Sequence, residues 1–439
     1  MKDETAELEP RYHRAILHWQ QHNFQEYERL PSEWDKFFPT DEPFCLCARF
    51  ARGVPEHIEV GERKGQPKAL SPRELDPEAG KQLLAIVRAQ ASTEFGSIQQ
   101  HQRTLARAQD DRDRAWVLRV MAEELRHGYQ MITLLTTADW APVTDTKPED
   151  MVDEILSMRT GSHVLAAFNL DFDSFMDNVV FAALIDRVGK HQLTMQKVNA
   201  YKPMAASMPP FLREEAFHLA TGVIPLRRWV EQAAAPDALI TMPMLQRAIN
   251  KWFPRGLEMF GDERGGDTNV RLGLKDKPNR LAQDDYIAEV DRMFDDLNRR
   301  YVRARLPGRS REELDAVYDR LVAGHETEAG ISWSEDLLSA PHRGFFRRRG
   351  EFAFQPIGVD GRRFDDVEDY VAHARDHLPE AYRASLDFSN WVDLQRGVTS
   401  GALTVADAMK STPHLARVGG ACPCSNSVRW VYEVPPTRP

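Results

Sequence analysis

Two short stretches carry side chains that chemistry can use. Glu124-Leu-Arg-His127 and Glu215-Ala-Phe-His218 each place a carboxylate and an imidazole three residues apart, and each follows a second acid, Glu123 and Glu214. One Glu-x-x-His arises by chance in a chain this long, and alone it reads as a surface ion pair or a capped core histidine. The upstream acids change that. Glu94 stands thirty residues before Glu124 and Asp186 twenty-nine before Glu215, so the order acid, Glu-x-x-His occurs twice.

Residues three, four and seven apart share one side of a helix. Those around Glu124 are Val117, Val120, Met121, Gly128 and Met131; those around Asp186 are Phe175, Val179, Ala182, Gly189 and Leu193, with Lys190 the exception. Glu215 keeps company with Phe211, Leu212, Leu219 and Gly222, and Glu94 with Val87, Ala91, Ser97 and Ile98. Four carboxylates thus interrupt apolar stripes and are expected to face a core. Burying such ions together is costly, because each loses its hydration and repels the others. Two divalent cations would balance the four charges, with the two histidines as neutral nitrogen donors. One acid from each of two helices and a Glu-x-x-His from each of two more is the donor set of a carboxylate-bridged dinuclear bundle. Oxygen-rich ligation with one imidazole per metal suits iron or manganese better than structural zinc. The expected metal-binding and catalytic set is therefore Glu94, Glu124, His127, Asp186, Glu215 and His218. Glu123 and Glu214 either accept hydrogen bonds from the histidines or lie one position off, as helix-surface acids.

Four helices must carry these residues. Helical periodicity dominates from about residue 72 to 235, in segments near 78–108, 111–138, 163–198 and 205–234. The acid-rich stretch 109–113, APVTDTKPED and MAASMPP mark the breaks. Each segment approaches thirty residues, or roughly 40 Å of helix. The expected fold is mainly α: a ferritin-like four-helix bundle with a dinuclear centre, extra helices at 242–262 and 283–328, and a small C-terminal α+β extension. Residues 1–70 read as an aromatic-rich cover of short helices and loops, 71–330 as the helical domain, and 331–439 as a hairpin turning at Val359-Asp360-Gly361, a helix and a tail packed on the bundle.

Bulk composition narrows the function. With 42% apolar and 28% charged residues the chain can build a sizeable core. A net charge of −10 argues against a phosphate-backbone binder, and no nucleic-acid partner is expected. The charged start MKDETAELEP is no secretory signal, and no apolar run is long enough to span a bilayer, so the cytoplasm is the expected compartment. Cys45-Leu-Cys47 and Cys422-Pro-Cys424 are expected to be reduced, either as small buried hydrophobes or as a joint metal site. A radical-generating role is disfavoured, since Met131 stands four residues after His127, where the radical subunit of ribonucleotide reductase carries its tyrosine; Tyr129 projects from the opposite side of the helix.

The motifs TEFGSIQQ, EELRHGYQM, FAALIDRVGKHQL, EEAFHLATG and PMLQRAINKWF resemble those of the oxygenase component of benzoyl-CoA 2,3-epoxidase, a family related to the catalytic subunit of phenylacetyl-CoA epoxidase. The resemblance covers most of residues 70–260 and runs more weakly through PHRGFFRRRGEF to VRWVYEV. It implies iron at the six ligands, and insertion of one atom of O₂ into the aromatic ring of an acyl-CoA to give an epoxide. It implies electrons from NADPH through a separate FAD and iron–sulfur reductase. A glutamine at the offset of Gln90, one turn before Glu94, lies near substrate in that family; the alternative is an amide satisfied by a neighbouring backbone. Arg343, Arg347, Arg348 and Arg349 either meet coenzyme A phosphates, with Arg347 and Arg348 foremost, or form a solvated charge run. Met121, Val179 and Phe211 would exclude water from the reaction. The first sixty residues and the cysteine pairs fall outside the family pattern. Other readings are therefore a carrier-protein thioester or amine substrate, a ferroxidase, or a structural protein of the same bundle type.

Overall fold

The structure, a computed structural model, describes residues 3–172, 174–261, 267–340, 364–376 and 386–402. It is mainly helical, as expected. Two compact units divide the chain: Met1–Asn169 with Asp186–Thr221 and Asp262–Ala282, and Leu170–Ile185 with Gly222–Gly261 and Gln283–Pro439.

The first unit begins with strand β1 (Glu4–Ala6) and helices α1 (Pro10–Asn23) and α2 (Leu30–Phe37), and β1 pairs antiparallel with β2 (Ala48–Phe50) in the register Glu4↔Phe50, Ala6↔Ala48. Trp19, Phe24, Trp34 and Phe38 are buried, whereas Phe37 is exposed. Helix α3 (Pro77–Thr104) starts cleanly because Asp76 accepts the Glu78 amide at 2.9 Å and Pro77 takes the first-turn position that needs no amide. Asp110 caps α4 (Asp111–Thr137) in the same way, accepting from the Arg112 amide at 2.8 Å. Helices α3 and α4 pack along each other, with the Phe95 ring seated where a Cβ on Gly128 would lie 2.9 Å away. The short α5 (Pro148–Ser157) packs against both.

Helices α6 (Phe175–Met195) and α7 (Lys202–Gln232) each run through both units, with the Asp186–Met195 and Lys202–Thr221 parts in the first. Two expected boundaries are corrected here. Residues 163–172 do not belong to the third helix: they hold turns and a short 3₁₀ segment (Ala166–Asn169), where the Asn169 side chain ties back to the His163 amide at 2.7 Å and to its carbonyl at 2.9 Å. MAASMPP is no break either. Pro209 and Pro210 lie inside α7. A proline at 210 leaves the Ala206 carbonyl without its helical donor, and the Ala51 amide, just past β2, donates to it at 2.8 Å. The true break is the 3₁₀ turn Gln196–Val198 and the extended residues that follow it.

In the second unit α8 (Met242–Met259) places Trp252 among Phe172 and Phe181, with ring centroids 5.1 Å from each, while its indole N–H donates to Asp177 at 2.7 Å. After the short α9 (Thr268–Arg271) of the first unit, the helix expected at 283–328 is two helices, α10 (Asn279–Arg305) and α11 (Arg311–Val322). Pro307 and Gly308, the latter at φ +85°, end the first, and a Ser310–Glu313 capping box starts the second. A two-stranded ribbon, β3 (Thr327–Glu328) and β4 (Ile331–Ser332), leads to α12 (Trp333–Asp336), and α13 (Val367–Asp376) and α14 (Leu386–Thr399) follow. The turn of the expected hairpin, Val359-Asp360-Gly361, lies outside the described residues, as do Arg343, Arg347, Arg348, Arg349, Cys422 and Cys424. Among the described residues no helix is long and apolar enough to cross a membrane.

Candidate metal centre

Helices α3, α4, α6 and α7 bring all six expected donors into the first unit. Oxygen or nitrogen atoms of Glu94, Glu124 and His127 lie within 4.8 Å of one another, as do those of Glu124, Asp186 and His218. Glu215 closes the group, its carboxylate 3.9 Å from His127 Nδ1 and 3.7 Å from His218 Nδ1. All six residues are buried. Glu124 stands between the two triads, with Ser97 of α3 donating its hydroxyl to Oε1 at 3.3 Å.

The two imidazoles are held from behind in a crossed arrangement. His127 Nε2 lies 2.9 Å from Glu214 on α7, and His218 Nε2 lies 3.1 Å from Glu123 on α4. An ionised carboxylate only accepts, so each Nε2 donates to its acid, and in the neutral imidazole Nδ1 would be the nitrogen left for a metal. The Phe211 ring stacks on His127 at 4.1 Å and closes that side with hydrocarbon.

Behind the acids stand arginines. Arg126 donates to Glu214 at 2.7 Å, Arg49 of β2 reaches the same carboxylate at 3.2 Å, and Arg119 holds Glu123 at 3.0 Å. The Phe44 ring faces the Arg126 guanidinium at 4.4 Å, and the Cys45 carbonyl accepts from it at 3.2 Å. Strand β2 is itself fixed, since the Arg49 amide donates to Gln130 at 2.5 Å and Gln130 donates to Ser207 at 2.8 Å. Sequence reading missed Arg49, Arg119 and Ser97. The sign of Arg126 was in view, as a cation embedded in EELRHGYQM. The expectation of reduced thiols is corrected at Cys45 and Cys47, whose sulfur atoms are bonded to each other in the loop before β2.

The electrostatics are those of a group short of positive charge. Burial, then the Glu94 carboxylate, pushes Glu124 up to about 7. Burial and Glu124 push Asp186 up to about 8, and burial with Asp186 does the same for Glu215. For His127 burial works against the charged form, but the neighbouring carboxylates of Glu124, Glu214 and Glu94 win and hold it well above its ordinary value. Burial also opposes Glu214 ionisation, yet Arg126 and His127 overcome it and keep that carboxyl low. Glu214 is therefore held charged and paired, whereas Glu124, Asp186 and Glu215 are pushed toward the neutral form. Glu124 Oε2, Asp186 Oδ2, Glu215 Oε2 and both histidine Nδ1 atoms have no hydrogen-bond partner among the described residues. Inward donors without partners, with the outward ones satisfied, fit a pair of divalent cations. Gln90, partly buried one turn before Glu94, has its Oε1 buried and unpartnered as well.

A family model described as phenylacetic acid catabolic protein matches residues 82–320, more than half of the chain and the whole span from Glu94 to His218. The chain belongs to the phenylacetic acid catabolic protein family. That is a ferritin-like family, which agrees with the helical bundle read from the sequence. Benzoyl-CoA oxygenase component B of Aromatoleum evansii is 25% identical over 346 residues, covering 71% of this chain and 70% of the relative. One of the subunits of the Escherichia coli K12 1,2-phenylacetyl-CoA epoxidase is 25% identical over 280 residues, covering 62% of this chain and 82% of the relative. Within the phenylacetic acid catabolic proteins, this chain thus resembles members named for oxygenation and epoxidation.

Proposed function

We propose that this chain is the oxygenase component of a di-iron monooxygenase that inserts one atom of O₂ into the ring of an aromatic acyl-CoA, of the benzoyl-CoA type, giving an epoxide. The balance is aryl-CoA plus O₂, NADPH and a proton, giving the epoxide, water and NADP⁺. A separate FAD and iron–sulfur reductase would pass on the electrons. The observation that carries the reading is the crossed pair of histidine–carboxylate bonds, which leaves both Nδ1 atoms facing four buried carboxylates. The relatives named for benzoyl-CoA and 1,2-phenylacetyl-CoA support the substrate class.

Glu94, Glu124 and His127 would hold one iron, and Asp186, Glu215 and His218 the other. Iron held by this set would supply the reduction of O₂ and the transfer of one oxygen atom to the ring, the other leaving as water. Glu214 and Glu123 keep each imidazole in the tautomer that ligation needs. Arg126 and Arg49 keep Glu214 ionised, and Arg119 holds Glu123 in place. Met121 and Phe211, both buried, shield the centre from water that would otherwise compete for protons and electrons. The side-chain N–H of Gln90, on the Glu94 face of α3, would donate to a thioester carbonyl and orient the ring.

Anaerobic iron loading followed by metal analysis tests the ligand assignment. Wild type should retain two ions per chain, and His127→Ala and His218→Ala distinctly fewer. Wild-type iron content in both variants, with helical structure intact, would overturn the assignment.

A further inference from the structure

We propose that the cleft between α10 and α11 in the second unit is a binding site for a phosphate-bearing small molecule, a diphosphate above all. The cleft encloses about 300 Å³, at the lower end of the range for small-ligand pockets. Six arginines fall within residues 299–311, on a chain whose net charge is −10. Four of them line this one cavity: Arg299, Arg303, Arg309 and Arg311.

Their roles differ. Arg299 is structural, bonded to Asp295 at 3.0 Å and Asp315 at 2.8 Å and lying 4.4 Å over the Tyr318 ring. It fixes the floor and uses up the carboxylate of Asp315. Arg303 lies one turn further along α10, on the same face, and Arg309 faces it from the connecting loop. Neither forms an ion pair with a described carboxylate. Arg309 is felt electrostatically at Glu328, but that acid is bonded to Arg320 at 2.7 Å.

Carboxylates account for Arg299 and for Arg311, which lies 3.7 Å from Asp315, but not for Arg303 or Arg309. Arg303 is in the last turn of α10, where the helix dipole favours positive charge. Arg309 and Arg311 are at the start of α11, where the dipole opposes it. Guanidinium groups gathered at the positive end of a helix, around a cavity with one acid already engaged, are arranged for an oxyanion. Val302 and Leu314 give the cavity an apolar wall, which suits a phosphate carried on an organic group.

Isothermal titration of the full chain at low ionic strength tests this, with inorganic phosphate, pyrophosphate and adenosine diphosphate as probes. The expected result is saturable one-to-one binding of pyrophosphate, weaker binding of phosphate, and loss of affinity as salt is raised. Arg303→Gln with Arg309→Gln, both at exposed positions, should weaken binding by about tenfold or more. Arg305→Gln, exposed in the same turn but off the cavity, should leave binding unchanged. If adenosine diphosphate binds more tightly and pyrophosphate competes with it, a nucleotide is the source of the phosphate; if the two bind alike, the phosphates alone are read. Absence of saturable binding, or equal binding by the double variant, overturns the proposal. So does saturation only by long polyanions such as heparin, which would make the cleft a macromolecular docking surface.

Discussion

Glu214→Gln removes one charge and leaves the shape of the side chain, and its cost can be worked out from the three donors it serves. His127 lies 2.9 Å from the carboxylate, Arg126 2.7 Å and Arg49 3.2 Å. Hydrogen bonds to a charged partner contribute about 1.5–3 kcal/mol each, and stranding one partner of a buried ion pair costs about 3–5 kcal/mol. Glutamine keeps one acceptor oxygen, so one donor remains satisfied. The Arg49 side chain is 25% exposed and can turn to water, whereas that of Arg126 is 6% exposed and cannot. The metal-free variant should therefore lose about 3 kcal/mol, near the lower bound for a broken buried pair. Without a carboxylate to select the Nε2–H tautomer, His127 ligates less well, and affinity at that half of the centre should fall about 10–100-fold. Urea unfolding of metal-free protein reads the first quantity and chelator competition for ferrous iron the second. Glu123→Gln should produce the corresponding loss at the His218 half. Stability within about 0.5 kcal/mol of wild type together with unchanged iron affinity would refute the reasoning.

The pH response has a definite sign. Folded-state values of about 7 for Glu124 and about 8 for Asp186 and Glu215, with His218 raised to about 10, mean that the metal-free fold binds more protons than the unfolded chain near neutrality. Its stability should fall as pH rises from about 6 to about 8, while the gain in melting temperature on adding iron should grow; metal-free stability climbing over that range would contradict this. Two glycine substitutions should differ sharply in denaturant midpoint. At Gly222 a Cβ would lie 2.3 Å from the Ala183 backbone nitrogen, so Gly222→Ala should cost about 1–3 kcal/mol. At Gly189 the Cβ would lie 3.7 Å from Glu215, so Gly189→Ala should be neutral or gain up to about 1 kcal/mol in helix propensity. Gln90→Ala should retain iron but yield less oxygenated product per NADPH consumed; unchanged coupling would remove Gln90 from the substrate contacts.

The four-helix arrangement was legible because each acid breaks an apolar stripe of period 3.6, a conflict that secondary structure alone does not produce. The orders Glu94 to Glu124 and Asp186 to Glu215 then indicated one donor per helix. Partnership behind the donors was less legible. Glu123 and Glu214 are one residue off the ligand face, and spacing alone could not separate a histidine acceptor from a surface acid. Only packing of α4 against α7 crosses them over. Arg49 reaches Glu214 across 165 residues from a three-residue strand, a contact with no periodic signature. The prolines of MAASMPP misled for a physical reason: a helix tolerates them when another segment uses the freed carbonyl, and Ala51 is remote in sequence from Ala206. The α10–α11 break was written in Pro307-Gly308, yet the amphipathic pattern on both sides masked it.

The central claim is that this chain activates O₂ for insertion into an aromatic acyl-CoA. Its most direct test is mass spectrometry of the CoA products from iron-loaded protein, benzoyl-CoA, a reductant and isotopically labelled O₂. The account predicts one labelled oxygen in the ring, with a diol appearing as the epoxide hydrolyses. Benzoyl-CoA recovered unlabelled and unchanged while O₂ is consumed would contradict it.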